Sequence, residues 1–119
     1  MEVFLKSVYA EPEPSDGARI LVDRLWPRGM SRERLRLDAW LKELAPSDGL
    51  RRWFGHDPEK WQEFRRRYFT ELAASQAAVA ELLGSIGKGR VTLLFAAKDQ
   101  QHNNAVALRD YLTNRGRPE

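Results

Sequence analysis

Two apolar runs along the chain are each followed at once by a cluster of polar side chains. The run Arg19 to Val22 leads into Asp23 to Gly29, and the run Val91 to Ala97 leads into Lys98 to Asn104. Apolar runs of this length predict buried strands. Because ligands in open α/β sheets bind just beyond the carboxyl ends of the strands, the pattern predicts a site built from these two loops.

The rest of the chain alternates between strand and helix patterns. Strands are predicted over residues 3–10, 19–25 and 91–97. Helices are predicted over residues 31–36, 47–54, 57–72, 75–83 and 103–114. Ser31, Ser47 and Asp57 are the expected N-caps of the first three, and Gly116 closes the last one. Leu37 to Leu44 fits one face of a helix, although the assignment of this segment stays ambiguous. Strands separated by helices predict one compact three-layer α/β domain over residues 1–119, with a small, mostly parallel sheet flanked by helices.

The composition is that of a globular protein, since 42% of the 119 residues are hydrophobic and 31% are charged. The chain contains no cysteine, which excludes disulfides, thiolate catalysis and cysteine-bound zinc and fits a cytoplasmic protein. The N-terminal segment lacks the apolar core of a signal peptide, and no apolar run is long enough to span a bilayer. We therefore expect a soluble, cytoplasmic protein without a membrane partner.

The chain is basic, with a formal net charge of +3 and a sequence pI of about 9.5. This charge favours anionic partners without naming one. Arginine-rich stretches at Arg32 to Arg36 and Arg65 to Arg67 make nucleic acid a candidate partner. For the second stretch, the neighbouring Glu63 and Glu71 favour a simpler interpretation, a solvated helix face with ion pairs.

The loop after the second predicted strand carries Asp23, Arg24, Trp26 and Arg28. The guanidinium groups of Arg24 and Arg28 suit a phosphate or a carboxylate, and Trp26 is a candidate wall of the pocket. Asp23 is a candidate general base, or a group that orients Arg28. The structural alternative is a buried Asp–Arg pair that fastens the loop, with Trp26 as part of the core.

The loop after the last predicted strand carries a second candidate group. Asp99 and His102 are candidates for acid and base chemistry, and Lys98 adds positive charge. Asn103 or its neighbour is expected to cap the following helix, whose exposed amides attract anions. His102 is explained equally well as a solvated loop residue. His56, between two predicted helices, is a candidate for the pocket lining or an ordinary loop residue.

No metal and no cofactor are predicted. Asp23, Asp99 and His102 lack the spacing of a known metal-ligand motif. The glycines between Gly84 and Gly89 follow a helix and precede a strand, which is the reverse of a phosphate-binding loop. No GxGxxG sequence follows a strand, which argues against a dinucleotide cofactor.

Four longer motifs occur in order along the chain: LVDRLWPRG at residues 21–29, DAWLKELAPS at 38–47, WF with HDP at 53–58, and LLFAAKD with HN at 93–103. Together they resemble the YeaO-like bacterial proteins, a domain of unknown function of the DUF488 type, over residues 3–115. The resemblance implies a compact α/β domain. More distant members carry a Cys-His-Arg motif in the last strand loop, where this chain has His102-Asn103-Asn104. A thiol mechanism is therefore excluded, whereas an anion pocket at that place stays open.

The leading hypothesis is a small anionic ligand, with a phosphate or a carboxylate, bound at the carboxyl ends of the strands. Under it, Arg24, Arg28 and Lys98 supply positive charge, and Asp23, Asp99 and His102 support hydrolysis or group transfer. The first alternative is a nucleic-acid-binding module that uses the arginine-rich helical faces. The second is a protein-interaction domain without a small ligand. No oligomeric state is predicted.

Overall fold

Four parallel strands form the central sheet of the structure, a computed structural model that describes residues 2–114. The strands are β1 (Val3–Ser7), β2 (Ala18–Leu21), β3 (Ala39–Trp40) and β4 (Val91–Phe95). Their order across the sheet is β1-β4-β2-β3, so the last strand in sequence lies between the first two. Leu93 is paired with Leu5 on one side and with Ile20 on the other. The segments that follow β2 and β4 therefore leave the sheet side by side.

Five α-helices lie within residues 2–114: α1 (Arg32–Leu35), α2 (Asp48–Phe54), α3 (Trp61–Ala73), α4 (Gln76–Gly87) and α5 (Asn104–Asn114). Short 3₁₀ turns occupy Pro14–Asp16, Lys42–Leu44 and Pro58–Lys60. Three predicted caps are confirmed, because the side chains of Ser31, Ser47 and Asp57 each accept a backbone N–H of the following turn. None of the helices in this part of the chain has the length and apolar character needed to cross a membrane.

The two faces of the sheet bury separate sets of apolar side chains. Helices α2 to α5 cover one face, where Ile20 and Leu93 belong to the larger core. The short helix α1 and the loops cover the other face, where Leu21 and Leu94 pack with Leu35. Successive residues of β2 and β4 thus point to opposite faces, as the pleat of a strand requires. The predicted α/β class, with a small parallel sheet flanked by helices, is confirmed.

The ambiguous segment Leu37 to Leu44 holds β3 and a 3₁₀ turn and contains no α-helix. Its backbone pairs with β2: Asp38 donates its N–H to the carbonyl oxygen of Arg19 at 2.8 Å, and Leu41 donates to that of Leu21 at 3.0 Å. The helical spacing of the apolar residues was therefore misleading, because a strand of two residues is too short to show its own period.

Strand and helix ends differ from the predicted ones by a few residues. β1 and β2 end before the predicted Ala10 and Leu25, and β4 ends before Ala97. A turn closes β1 early, because the hydroxyl of Ser7 accepts the backbone N–H of Tyr9 at 3.1 Å. Helix α4 continues through Gly84 to Gly87, beyond the predicted end at Leu83. The predicted stop at Gly116 lies outside the described residues.

A buried charge cluster at the amino end of the sheet was not predicted. Asp16 bonds to Arg19 at 2.6 Å and to Lys6 at 2.9 Å, and both Asp16 and Arg19 are less than a tenth exposed. The guanidinium of Arg19 also donates to the carbonyl oxygen of Leu35 at 2.7 Å. Burial acts to raise the pKa of Asp16, but the hydrogen bonds from Glu13, Lys6 and Arg19 outweigh it and lower that pKa.

Candidate functional site

A cavity of about 440 Å³ opens at the carboxyl edge of the sheet. Segments that follow all four strands line it: Tyr9 after β1, Asp23 to Arg28 after β2, Ala45 and Pro46 after β3, and Ala96, Ala97, Asn103 and Asn104 after β4. This is the edge at which open α/β sheets bind ligands, and the volume is within the range of small-molecule sites. Of the nine predicted site residues, six line the cavity: Asp23, Arg24, Trp26, Arg28, His56 and Asn103.

Asp23 joins the two loops of the cavity. Its Oδ2 accepts the backbone N–H of Ala96 at 2.9 Å, and its Oδ1 accepts the side-chain amide of Asn104 at 3.0 Å. Burial raises the pKa of Asp23, while these two hydrogen bonds act in the opposite direction. The predicted buried Asp–Arg pair of this loop is not formed among residues 2–114, where the partners of the carboxylate are backbone and amide donors of the segment after β4.

Two guanidinium groups of the cavity wall have no carboxylate partner among residues 2–114. Arg24 donates from Nε to the carbonyl oxygen of Pro46 at 3.4 Å, and Arg28 is exposed at the mouth. The backbone of Arg28 is held by the segment that follows β1, because the hydroxyl of Tyr9 donates to its carbonyl oxygen at 3.0 Å. Gly29 follows with a φ of 78°, a left-handed conformation that favours glycine.

Apolar and aromatic side chains form much of the remaining wall. Phe54 and Phe64 are buried and stack with their ring centroids 4.3 Å apart. Trp26 donates from its indole nitrogen to the carbonyl oxygen of Met30 at 2.7 Å and meets Trp40 edge to face at 5.4 Å. Trp26 therefore combines the two interpretations of the sequence, since one aromatic ring both lines the cavity and packs against the smaller core.

His56 and Asn103 reach the cavity from different elements. His56 follows α2 with a φ of 58°, and its ring lies 6.4 Å from that of Phe54. Asn103 caps α5, as expected, because its Oδ1 accepts the backbone N–H of Val106 at 3.0 Å. Its Nδ2 donates to the carbonyl oxygen of Asp99 at 2.9 Å, so the polar atoms of Asn103 are already engaged.

Lys98, Asp99 and His102 do not line the cavity, although they belong to the same loop as Asn103. Asp99 accepts the backbone N–H groups of Gln101 and His102 and contacts the His102 ring at 3.0 Å. These bonds, led by the one from Gln101, lower the pKa of Asp99. The His102 ring meets Trp61 edge to face at 5.3 Å. The local turn built by Asp99 therefore separates this acid–base pair from Asp23.

Sequence reasoning missed several wall residues, of which Arg51 and Pro46 are the most informative. Arg51 lies in α2 and is paired with Asp48 at 3.2 Å. Pro46 supplies the carbonyl oxygen that holds Arg24. Neither residue directly follows a predicted strand. Arg51 lies within a helix, and Pro46 follows β3, which was not predicted. Recognition of β3 was the one signal that would have placed Pro46 at this edge.

The arginine-rich stretch of α3 forms ion pairs within the protein. Arg66 and Arg67 both contact Glu63, at 2.6 and 2.7 Å, and Arg65 contacts Asp110 at 3.2 Å. The predicted solvated face with ion pairs is confirmed for Arg66 and Arg67, which are exposed, whereas Arg65 is partly buried. Glu71 instead accepts the hydroxyl of Ser47. Within residues 2–114, no group of three acidic or histidine side chains is placed to hold a metal ion.

Similarity to known proteins extends over nearly the whole chain. A family with the description "Inactive DUF488-N3 subclade" matches residues 2–118. The uncharacterised protein YeaO of Escherichia coli is 43% identical over 112 residues, which cover 94% of this chain and 97% of YeaO. Uncharacterised proteins of Mycobacterium bovis and Mycobacterium tuberculosis are each 42% identical over 108 residues, which cover 91% of both chains. No solved structure matches this chain. The chain therefore belongs to the DUF488 family, within the group described as its inactive N3 subclade.

Proposed function

We propose that this protein binds a small anionic ligand, with a phosphate or a carboxylate group, in the cavity at the carboxyl edge of the sheet. The observation that carries the proposal is the pair Arg24 and Arg28, which line one cavity without a carboxylate partner among the described residues. Planar guanidinium groups form paired hydrogen bonds with phosphate and carboxylate oxygens. An anion at this place supplies the partner that residues 2–114 do not provide.

The remainder of the wall suits a ligand that also has an apolar body. Trp26, Phe54 and Phe64 offer ring surface, and the volume of about 440 Å³ accommodates a molecule larger than a free phosphate ion. Burial of an apolar body against these rings contributes affinity that does not depend on charge. We therefore expect an organic anion to bind more tightly than inorganic phosphate.

Binding without catalysis is the version of this proposal that we favour. The family description reads "Inactive", which supports a retained pocket without turnover. The only acid–base pair predicted near the site, Asp99 and His102, does not line the cavity. Both carboxylate oxygens of Asp23 accept hydrogen bonds from the protein, which suits a positioning group better than a mobile base.

The test is a thermal-shift screen with sugar phosphates, nucleoside monophosphates and aromatic carboxylates at two salt concentrations. A ligand present at about 100 times its Kd stabilises the folded state by roughly 2.7 kcal/mol, which raises the Tm. Arg28→Ala should abolish the shift. Arg52→Ala is the matched control, because it removes the same charge from α2 at a residue that does not line the cavity.

Two results would overturn the proposal. One is a Tm shift of equal size in wild type and Arg28→Ala, which would place the bound anion elsewhere. The other is stabilisation by short DNA or RNA alone that disappears with added salt, which is the behaviour of a nucleic-acid-binding protein.

A further inference from the structure

The cavity that we propose to bind an anion also contains a carboxylate. Asp23 is the one acidic residue among the described residues that line it. An anionic group placed beside this carboxylate is repelled, and the repulsion is strong in a partly buried site where water screens poorly. A ligand that fills the cavity therefore keeps its anionic group toward the arginines and presents a different kind of group to Asp23.

A second acceptor lies next to Asp23. The side-chain amide of Asn104 donates from Nδ2 both to Oδ1 of Asp23 at 3.0 Å and to the carbonyl oxygen of Val22 at 2.9 Å. Because both contacts are to acceptors, the orientation of the amide is determined, and its oxygen is the atom left over. That oxygen accepts no hydrogen bond from residues 2–114, although Asn104 lines the cavity.

Each carboxylate oxygen of Asp23 also retains capacity for a further donor. A carboxylate oxygen has two lone-pair sites, and each oxygen of Asp23 accepts one hydrogen bond from the protein. Within the described residues, no side-chain nitrogen of a lysine, arginine or histidine lies within ion-pair distance of the Asp23 carboxylate. His56 lines the same cavity and its charge acts to lower the pKa of Asp23, but no hydrogen bond or ion pair among residues 2–114 joins the two side chains. The wall at Asp23 and Asn104 thus offers acceptor sites that a ligand can use.

We propose that Asp23 and Asn104 form a subsite for the amino group of the ligand, which is therefore an organic anion that also carries an ammonium or another N–H donor. This proposal rests on the proposed function, because it assigns the opposite end of the same ligand. The arginines bind the phosphate or carboxylate, the aromatic rings pack against the body of the molecule, and the amino group donates to Asp23 and Asn104.

The experiment compares two pairs of probes that differ only in the amino group. The first pair is para-aminomethylbenzoate and para-ethylbenzoate, and the second is aminoethyl phosphate and propyl phosphate. Each pair keeps the anion and the size of the molecule and exchanges an ammonium for a methyl group. Calorimetric titration of the wild-type protein should show the amino member of each pair binding at least about tenfold more tightly, because a methyl group at that place covers the acceptors of Asp23 and Asn104 without donating to them.

Variants then identify the subsite. Asp23→Asn should reduce the tenfold preference to about threefold or less, because it removes the charge. Asp99→Asn is the control, since it makes the same change outside the cavity and should keep the preference. If Asp23→Asn does not fold, the comparison of the paired probes on wild type still decides the proposal.

The outcomes separate this inference from the proposed function. Equal binding of both members of each pair, with both lost in Arg28→Ala, overturns the amino subsite and leaves the anion site in place. Tighter binding of the methyl members overturns it as well. Binding of no probe at millimolar concentration overturns both proposals.

Discussion

Asp23 and Asn104, separated by 81 positions in the sequence, are joined by a side-chain hydrogen bond of 3.0 Å. The same amide of Asn104 reaches the carbonyl oxygen of Val22, and the other oxygen of Asp23 accepts the N–H of Ala96. One carboxylate thereby connects the segment after β2, the segment after β4 and the first residue of α5. The walls of the cavity depend on this connection.

Replacement of Asp23 by alanine should lower the free energy of unfolding by about 2–4 kcal/mol. The change removes two hydrogen bonds to a charged group and leaves the N–H of Ala96 without an acceptor. Urea denaturation of both proteins measures the difference. Asp99→Ala is the control, with a clearly smaller expected loss, because the side chain of Asp99 is 31% exposed and water can replace it as an acceptor. A loss at Asp23 as small as that at Asp99 would contradict this account.

The stability difference between wild type and Asp23→Asn should depend on pH. Burial raises the pKa of Asp23 above its ordinary value of 3.8, so the folded state binds the proton more tightly than the unfolded state. The resulting stabilisation is complete below 3.8 and is lost as pH rises through the raised pKa. Relative to the variant, wild type should therefore become less stable as pH rises. Urea denaturation at several pH values from about 3 to about 7 tests this, and a constant difference would refute it.

Asp16→Ala should destabilise the protein more than the same substitution at any exposed acidic residue. Arg19 and Lys6 would lose their partner, and Arg19 would remain buried as an uncompensated charge. Breaking a buried ion pair in this way costs about 3–5 kcal/mol. Asp48→Ala breaks an exposed pair with Arg51 and should cost no more than about 1 kcal/mol. Equilibrium unfolding of the two variants side by side provides the comparison, and similar losses would count against a role for the buried cluster.

Two glycines should respond in opposite ways to substitution by alanine. Gly17 has a φ of 67°, and a Cβ there would lie 2.3 Å from the carbonyl oxygen of Arg90. Gly17→Ala should therefore cost more than about 2 kcal/mol, since neither the backbone nor the contact can relax cheaply. Gly49 lies in α2 with open space around the same position, so Gly49→Ala should be neutral or stabilising by up to about 1 kcal/mol. Thermal melts of both variants distinguish the two cases, and equal Tm values would contradict the argument.

Local chemistry predicted those features that depend on only a few neighbouring residues. Ser31, Ser47 and Asp57 were recognised as helix caps because a cap needs only a short side chain and the next backbone N–H groups. β4 was recognised as a buried strand because a central parallel strand is apolar on both faces. By contrast, β3 was missed, since its two residues are held only by pairing with β2.

In the candidate site, too, the sequence predicted local features and missed contacts between distant segments. Polar residues after buried strands pointed to the carboxyl edge of the sheet, and six of the nine predicted site residues line a cavity at that edge. The prediction that Asp23 pairs with an arginine of its own loop was wrong. Its partners are Ala96 and Asn104, which are far away in the sequence and close only in the folded chain. His102 was grouped with Asp23, but the turn at Asp99 directs it toward Trp61.

The sequence alone determined the class of fold, the apolar strands with polar loops at their carboxyl ends, and the resemblance to the DUF488 family that the comparisons confirmed. The tertiary structure alone decided which loops meet, because β4 enters the sheet between β1 and β2. It also decided that Asp16 and Arg19 are buried together. Strand order and burial arise from the pairing of segments far apart in the chain, and the free energy of such a pairing belongs to neither segment by itself.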